Sequence, residues 1–421
     1  MSNIWVTNGN YVTTGEIILT TAKAIRSVNG RDVTIIRRKG PAEHRIFKLT
    51  HADALVDGFT ISNGALTTAT SASHGGGIWM SAGTVRNCHV TKNTGYRGAG
   101  IYMTGGRVEG CVISFNNQLT GGGTEYGGGI ALDGAGAVVS NCFIYRNSAR
   151  SWGRSYGGGG YMSAGLIVNC VFSNNYNNSH VAYVSSGTQA GGLYMTGGTV
   201  RDSLFVTNTC YYGNDCQNGG GAIYISGGLV ERCVFKNNIG NGYAGRPGGG
   251  GAIRAAGGTI RNCLFYGNKV TSAGHGGAIW LESGSPIVEN CTIVANTNTA
   301  AGYTGGGIYR GAGSVINSLI YSNFVGAVHS NIYGVVDNFT FSCAPELTSG
   351  PGNITGPPKY TKRGEHIYYP SEFSPTVNAG NYQPWMVGDR DIAGGPRIAK
   401  KIVDIGCYEY TVPPGTIIVL H

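Results

Sequence analysis

The stretch GGGIWMSAGTVRNCHVTKN, residues 75–93, contains a pattern that occurs nine times between residues 74 and 330. A glycine run precedes an apolar triplet, a second apolar segment follows, and Cys or Ser and then Asn stand at its end. The central triplet residues are Trp79, Tyr102, Ala131, Tyr161, Tyr194, Tyr224, Arg254, Trp280 and Tyr309. The closing asparagines are Asn93, Asn116, Asn147, Asn175, Asn208, Asn238, Asn268, Asn296 and Asn323. Constant spacing within repeats and variable length between them indicate a solenoid of stacked coils.

The mean repeat of roughly 29 residues is long enough for three short strands and their turns. In the first triplet, strand alternation places Ile78 and Met80 in the core and Trp79 on the outer surface. The sequence therefore predicts an all-β chain that forms a single parallel β-helix with three strands per coil. Residues 1–73 are expected to form opening coils, residues 74–330 the nine-coil array, and residues 331–421 the last coil and an irregular C-terminal cap.

Two columns of equivalent residues are predicted to be structural. The residue before each repeat Cys or Ser is Asn, Gly or Asp in eight of nine repeats, and these residue types accept a positive φ, so a bend is expected there. The asparagine column should be a ladder in which each amide bonds to the next coil. The stacked cysteines are expected to act as small apolar core residues. Cys210 and Cys216, in an inserted loop, are the first choice for a disulfide in an oxidising compartment.

The composition favours a surface that faces carbohydrate. Only 12% of the 421 residues are charged, so Asn, Ser, Thr, Gly and Tyr must cover most of the exterior, and we expect an extracellular or cell-surface location. The net charge of +9 favours acidic partners, but no basic run or nucleic-acid motif accompanies it, so no nucleic acid is expected. No apolar stretch approaches the ~18 residues of a membrane span. The first residues carry no recognisable secretion signal, which leaves the export route open.

Several short motifs resemble those of known repeat families. Residues 220–223, 250–253 and 276–279 read GGAI, and residues 172–175, 205–208, 235–238 and 265–268 read FxxN. Both are similar to repeats of chlamydial polymorphic membrane proteins, within the wider group of pectate-lyase-like right-handed parallel β-helices. In the tail, residues 374–375, 378–380, 389, 395–397 and 403–409 are together similar to the closing segment of bacterial surface β-helix proteins with interchangeable anchors. The resemblance implies a right-handed solenoid, but such families include adhesins, lyases and hydrolases, so it implies no single activity.

The sequence contains little that points to catalysis. Enzymes that cleave polysaccharides on such a fold need clustered carboxylates, either for calcium or as an acid/base pair, and the repeat region carries few and scattered acidic residues. Gly274-His275-Gly276 resembles one motif of polygalacturonase-type hydrolases, but the paired aspartates of that family are missing. No Cys-x-x-Cys and no paired histidines at ligand spacing occur. We therefore assign no catalytic residue, no metal and no cofactor from the sequence.

The outward aromatic column is the main functional candidate. Its members, together with a neighbouring loop, are predicted to bind carbohydrate: Trp79, Tyr102, Tyr161, Tyr194, Tyr224, Trp280, Tyr309, Trp152, Arg154 and Tyr156. The favoured hypothesis is a surface-displayed binding or adhesion module for polysaccharide, with an acidic one favoured by the charge. The alternatives are a polysaccharide lyase or glycoside hydrolase, and a structural fibre, including a phage fibre or tailspike, that associates end to end. The competing structural interpretation is that stacked aromatics only stabilise the sheet or lie under the loops.

Overall fold

The computed structural model describes residues 2–67, 73–118, 124–150, 154–177, 189–210, 219–242, 248–300, 302–399 and 402–412. Nearly all regular structure in these residues is β-strand, and the strands of successive coils pair in parallel and in register. The chain is a right-handed parallel β-helix, the hand that parallel crossover connections adopt. The predicted fold class is confirmed.

Three sheets of 23, 12 and 10 strands run along the solenoid. The largest contains two rows, A and B, and two long strands, Ile101–Glu109 and Ile130–Ser140, belong to both rows. Row A otherwise comprises Ile17–Leu19, Phe47–Leu49, Ile78–Met80, Gly160–Met162, Leu193–Met195, Ile223–Ile225, Ile253–Ala255, Ile279–Leu281, Ile308–Arg310 and Ile332–Gly334. Row B otherwise comprises Ser2–Val6, Lys23–Ser27, Leu55–Asp57, Thr84–Arg86, Leu166–Val168, Thr199–Arg201, Leu229–Glu231, Thr259–Arg261, Ile287–Glu289, Ser314–Ile316 and Phe339–Thr340.

The two smaller sheets complete each coil. Sheet C comprises Gly9–Thr13, Thr34–Arg38, Thr60–Ser62, His89–Thr91, Val112–Ser114, Phe143–Tyr145, Val171–Ser173, Leu204–Val206, Val234–Lys236, Leu264–Tyr266, Thr292–Val294 and Leu319–Tyr321. Sheet D comprises Thr94–Gly95, Asn117–Gln118, Ser148–Ala149, Tyr176–Asn177, Thr209–Cys210, Ile239–Gly240, Lys269–Val270, Thr297–Asn298, Phe324–Val325 and Val328–His329. Three small pairings lie outside the coils, namely Thr124–Tyr126 with Arg154–Tyr156, Gly248–Gly249 with Gly274–His275, and the hairpin Tyr360–Arg363 with His366–Pro370; Pro384–Met386 forms a 3₁₀ turn.

Two corners with positive φ bend each coil. The first lies before the Cys or Ser, as predicted; Asn87 has φ 54° and even Arg232, the exception to the residue pattern, has φ 46°. The second lies between sheets C and D, one residue before each ladder asparagine, where Phe115 and Thr207 both have φ 54°. A side chain with a Cβ pays about 1–2 kcal/mol in this conformation. The second corner had no signal in the sequence because its residue types are mixed.

The asparagines form a continuous hydrogen-bonded ladder inside this second corner. Asn175 Nδ2 donates to Asn208 Oδ1 at 3.0 Å, and Asn208 Nδ2 donates to Asn238 Oδ1 at 3.0 Å. The backbone N–H of Asn175 donates to the same Asn208 oxygen at 3.1 Å. At the last coil, the Glu346 carboxylate accepts hydrogen bonds from the backbone and side chain of Asn331. Because these amides are fully buried, each satisfies backbone groups that would otherwise lack partners.

The cysteine column has a polar role that the sequence interpretation did not include. The backbone N–H of Cys88 donates to Cys111 Sγ at 3.4 Å, and Cys88 Sγ lies 3.1 Å from the Arg86 carbonyl oxygen, to which it donates. Where serine replaces cysteine, the hydroxyl takes the same position, as in the 3.1 Å bond from Cys170 N–H to Ser203 Oγ. The column therefore fills core space and also bonds the first corner of one coil to the next.

The C-terminal segment lies along the flank of the solenoid. Its Tyr369, Ile405 and Tyr408 form a second hydrophobic cluster with Leu264 and Leu319 on the outer side of sheet C. Arg397, fully buried, donates to the Asp404 carbonyl oxygen at 2.8 Å and pairs with Glu409 at 3.3 Å. An ion pair of 2.6 Å joins Asp389 to Arg232 of the array. The segment thus covers the later coils of sheet C and leaves the outer face of the earlier coils uncovered by it.

Candidate ligand-binding face

Row A carries the predicted aromatic column in register on its outer side. We call this column the row-A ladder; its residues, paired strand to strand, are Lys48, Trp79, Tyr102, Ala131, Tyr161, Tyr194, Tyr224, Arg254, Trp280, Tyr309 and Tyr333. Lys48 and Tyr333 extend the column by one coil at each end. Strands within a sheet lie about 4.8 Å apart, so this ladder spans most of the solenoid.

The exposure of the ladder is uneven. Trp79, Tyr194, Tyr224 and Tyr309 are partly exposed, and Tyr333 is 50% exposed. Tyr102, Tyr161 and Trp280 are buried, which differs from the open aromatic platform that the sequence predicted. A second column of residues causes this burial.

This covering ladder stands five residues before each of the eight row-A residues from Trp79 to Trp280 and is also paired from coil to coil. Its residues are His74, Arg97, Tyr126, Tyr156, Gln189, Gly219, Gly249 and His275. Each ring packs on the row-A residue of the following coil. The ring centroids are 4.6 Å apart for His74 and Tyr102, and 4.5 Å apart for Tyr156 and Tyr194. The constant offset of five residues between the covering residue and the row-A residue is present in the sequence. The covering residues are too diverse in type, however, for the sequence to predict that they form a ladder.

Arginines occupy both interruptions of the aromatic column. At Ala131, the covering-ladder residue Arg97 fills the space, with its guanidinium carbon 4.5 Å from the Tyr126 ring centre and 4.7 Å from that of Tyr161. Its Nη1 donates to Asp133 at 2.6 Å. At the second interruption, Arg254 lies 4.6 Å from the Trp280 ring centre and donates to Glu282 at 2.9 Å.

Gly219 of the covering ladder leaves the space that the Arg254 side chain occupies. A Cβ at Gly219 would lie 2.6 Å from Cδ of Arg254, so any larger residue there would displace the buried guanidinium. Both arginines are thus neutralised by carboxylates and packed against rings, and they complete the ladder rather than project from it.

The stacked geometry determines which part of each ring a ligand can reach. Tyr194 and Tyr224 are stacked with centroids 4.9 Å apart and planes 6° from parallel, and Tyr161 and Tyr194 are stacked at 5.9 Å. The faces of these rings are therefore turned toward the neighbouring coils. What remains for a ligand is the row of ring edges and phenolic hydroxyl groups, which donate and accept hydrogen bonds.

Burial shifts the pKa of several side chains along this face. Burial, together with the nearby Arg97, lowers the pKa of His74 from 6.5 to about 4, so this imidazole is neutral at neutral pH. Burial and the neighbouring Asp133 raise the pKa of Tyr102 to about 12. Burial also raises the pKa of Tyr194 and of Tyr224. The phenols therefore act as neutral hydrogen-bonding groups.

The remaining predicted site residues are distributed as follows. Tyr156 is a member of the covering ladder and is buried, whereas Arg154 begins the same short strand and is exposed. Trp152 lies outside the described residues. Cys210 is buried on strand Thr209–Cys210, and Cys216 lies outside the described residues, so the bridge between them stays a prediction.

No group of three or more His, Cys, Asp or Glu side chains in the described residues is arranged to hold a metal ion. Within the same residues no helix has the length and apolar character needed to cross a bilayer.

Known proteins share the fold of this chain but not its sequence. No protein-family model matches it, nor does any curated protein, so the likeness to chlamydial repeats has no family match behind it. Among solved structures, the chain is similar to the pectate lyase Pel9A, with 13% identity and a TM-score of 0.38, covering 97% of this chain and 88% of the other. It is also similar to the PL6-family alginate lyase AlyGC, with 13% identity and a TM-score of 0.44. That match covers 98% of this chain but only 56% of the alginate lyase. At this similarity neither structure indicates what this chain binds or whether it is an enzyme.

Proposed function

We propose that this chain is a binding module, extracellular or displayed on a cell surface, that recognises polysaccharide along the row-A ladder. The observation that supports this most is the in-register row of partly exposed ring edges and phenolic hydroxyls along one face of a rigid solenoid. A regular row of hydroxyl groups suits a polymer whose units carry regularly spaced hydroxyls, because each coil offers the same kind of hydrogen bond. The step of about 4.8 Å between coils is close to the length of one sugar unit in an extended chain.

The mode of recognition differs from ring-on-sugar stacking. Since Tyr194 and Tyr224 stack on each other, a sugar lying along the ladder meets their edges and hydroxyls. The expected contribution is thus a series of hydrogen bonds, each worth about 0.5–1.5 kcal/mol. The two arginine–carboxylate pairs hold the rings in place and leave the face near neutral.

The test is to remove the hydroxyls and keep the rings. The double variant Tyr194→Phe and Tyr224→Phe preserves the stack, and we expect it to weaken retention on a glycan array or in affinity electrophoresis by about tenfold, which corresponds to about 1.4 kcal/mol. The matched control is Tyr382→Phe, which alters an exposed tyrosine on the C-terminal flank. Unchanged retention by the double variant, with wild-type thermal stability, would exclude the row-A ladder as the binding face.

A polysaccharide lyase is the second candidate, and one cluster favours it. His74, Tyr102, Arg97 and Asp133 meet at the start of the ladder. A lyase needs a base that takes the proton next to a uronate carboxyl and an acid that protonates the departing oxygen; a neutral imidazole and a phenol fit these two tasks. A hydrolase is less favoured, because Asp133 and Glu282 on this face stand five coils apart, about 24 Å, whereas paired glycosidase carboxyls lie about 5–9.5 Å apart.

The lyase hypothesis predicts a product that the binding hypothesis does not. Incubation with a panel of uronate polysaccharides, with and without calcium, would release unsaturated ends that absorb in the ultraviolet. If His74 is the base, His74→Asn should abolish that signal while binding persists. The absence of unsaturated product from every polymer that the chain retains would leave binding as the function.

A further inference from the structure

A second concave site lies on another side of the solenoid, at the corner between sheets C and D. It is a cavity of about 380 Å³ lined by Phe115, Asn117, Arg146, Asn174 and Tyr176. Pockets of this size accommodate one small ligand or one unit of a polymer. The row-A ladder contributes no residue to it.

The cavity results from the second corner of three successive coils. Phe115, Arg146 and Asn174 each stand one residue before a ladder asparagine, with φ of 54°, 51° and 51°. Asn117 and Tyr176 stand one residue after the same ladder, in the coils of Phe115 and Asn174. Between those two, the middle coil has the small, buried Ser148, and this change of size leaves a depression.

The walls of the cavity are aromatic and exposed. Phe115 is 39% exposed and Tyr176 is 40% exposed, although rings of this size are normally buried in a core. They belong to coils two steps apart, about 9.6 Å, and a flat ring needs about 3.5–4.0 Å on each side for van der Waals contact. The left-handed backbone of Phe115 is shared by the second corner of the other coils, as at Lys92 and Thr207, so the exposure of the two rings is the feature that distinguishes this place.

The polar groups of the cavity favour an anionic ligand. Arg146 lies over the Phe115 ring, 5.7 Å from its centre, and within the described part of the chain it forms no ion pair. Lys92 occupies the same corner position one coil before Phe115 and is exposed. Asn117 and Asn174 are exposed amides whose only described side-chain hydrogen bonds are to Ser148 and Ser173. The cavity thus presents a guanidinium and amide groups beside apolar ring surfaces.

We propose that this cavity binds a single anionic sugar unit, a pyranose that carries a carboxylate or a sulfate ester. The apolar face of the sugar ring would contact Phe115 or Tyr176, the anionic group would pair with Arg146, and the hydroxyls would bond to Asn117 and Asn174. The unpaired guanidinium distinguishes the cavity from the ligand-binding face, where Arg97 of the covering ladder and Arg254 of the row-A ladder are already paired with Asp133 and Glu282. The proposal does not depend on the ladder and would make the chain bivalent for an acidic polymer.

The test compares trigalacturonate with the neutral trisaccharide galactotriose by calorimetric titration. The wild-type chain should bind trigalacturonate at least about tenfold more tightly, because a charged hydrogen bond to Arg146 is stronger than a neutral one. Arg146→Gln should remove that preference, and Phe115→Asn, which suits the left-handed backbone, should weaken binding of both sugars. Asn237→Gln is the matched control, since it alters the same corner position outside the cavity.

The outcomes separate this site from the row-A ladder. The effects of Arg146→Gln and Phe115→Asn should be the same in the Tyr194→Phe and Tyr224→Phe background, whatever that background does to retention of long polymers. Equal affinity for the anionic and neutral sugars, no binding of either trigalacturonate or a sulfated trisaccharide, or binding that neither cavity variant changes would each overturn the proposal. Tighter binding of a sulfated trisaccharide than of the uronate would support it and assign the anion.

Discussion

The environment of individual side chains on the outer face depends on neighbours that are distant in sequence. Ala131 interrupts the aromatic column, yet the space beside it is filled by Arg97, which belongs to the preceding coil. Arg254 interrupts the column a second time and is 2% exposed because Gly219 leaves room for it. His74 is neutral because its ring is packed against Tyr102 and lies near Arg97. At this scale, the exposure and charge of a residue follow from the coil above or below it.

His74 makes stability depend on pH. The pKa of its imidazole is 6.5 in an unfolded chain and about 4 in the folded chain. As the pH falls below 6.5 the unfolded chain takes up a proton that the folded chain does not, so the free energy of unfolding should decrease between about pH 6.5 and pH 4. Urea denaturation of the wild type and of His74→Asn across this pH range measures the free energy of unfolding of each. The difference in unfolding free energy between the two should shrink or reverse as the pH is lowered; parallel pH profiles would contradict the shift.

Ladders are the elements that hold one coil to the next. The Asn ladder, the Cys column and the stacked Phe172, Phe205 and Phe235 repeat one interaction along the axis. Because every coil supplies the same residue at the same corner, each Asn and each Cys of these two columns both donates and accepts hydrogen bonds between coils, whereas the phenylalanine rings stack. A solenoid stabilised in this way depends on contacts between adjacent repeats, so a defect in one coil should be felt most strongly by the coils next to it.

Substitution of Asn208, in the middle of the Asn ladder, measures how much the ladder hydrogen bonds stabilise the fold. In Asn208→Ala the backbone N–H and side chain of Asn175 lose their acceptor, and the Phe172 carbonyl oxygen loses the 2.9 Å bond from Asn208. Buried groups left without partners cost about 1–3 kcal/mol each, so we expect a loss of about 3 kcal/mol or more in the free energy of unfolding. Asn237→Ala, in the exposed second corner, should cost only about 1–2 kcal/mol. Equal losses for the two variants would mean that water or local repacking replaces the ladder bonds.

At the scale of the whole molecule, the flank and the opening coils differ in how they are covered. The C-terminal segment packs on the later coils of sheet C through Tyr408 and Ile405. The opening strands Ser2–Val6, Gly9–Thr13 and Ile17–Leu19 each pair with a strand on one side only in the described part of the chain. Ile4, Trp5 and Ile18 there are 47%, 62% and 53% exposed. Unpaired strand edges with apolar side chains favour pairing with another chain.

The open edge predicts association that depends on concentration. If copies associate through it, as the end-to-end hypothesis proposes, sedimentation velocity should show larger species as the concentration rises. Ile18→Lys should reduce them, because a charged side chain on an edge strand opposes pairing. Val387→Lys, at an exposed position on the flank, is the control. A single monomeric species at every concentration would exclude this edge as an interface.

The repeat pattern of the amino-acid sequence is enough to predict the solenoid, its register and the interior ladders. The Cys or Ser follows the central triplet residue by nine residues in seven repeats and by eleven in two, and the Asn always follows five residues later. Stacking of the coils therefore brings the equivalents of Trp79, Cys88 and Asn93 into columns. The sequence also predicts the bend before Cys88, because Asn, Gly and Asp, the types found at the position of Asn87, tolerate a left-handed backbone.

The surfaces that a ligand can reach depend on packing between coils, which the repeat pattern does not contain. The covering ladder, the stacked orientation of the rings and the cavity at Phe115 and Arg146 each arise from contacts between side chains of different coils. Their residue types follow no repeat, because packing between coils depends on the sizes of two or three neighbouring side chains at once. A pattern along the chain places each residue in its column, whereas the burial of that residue depends on what the adjacent coils put beside it.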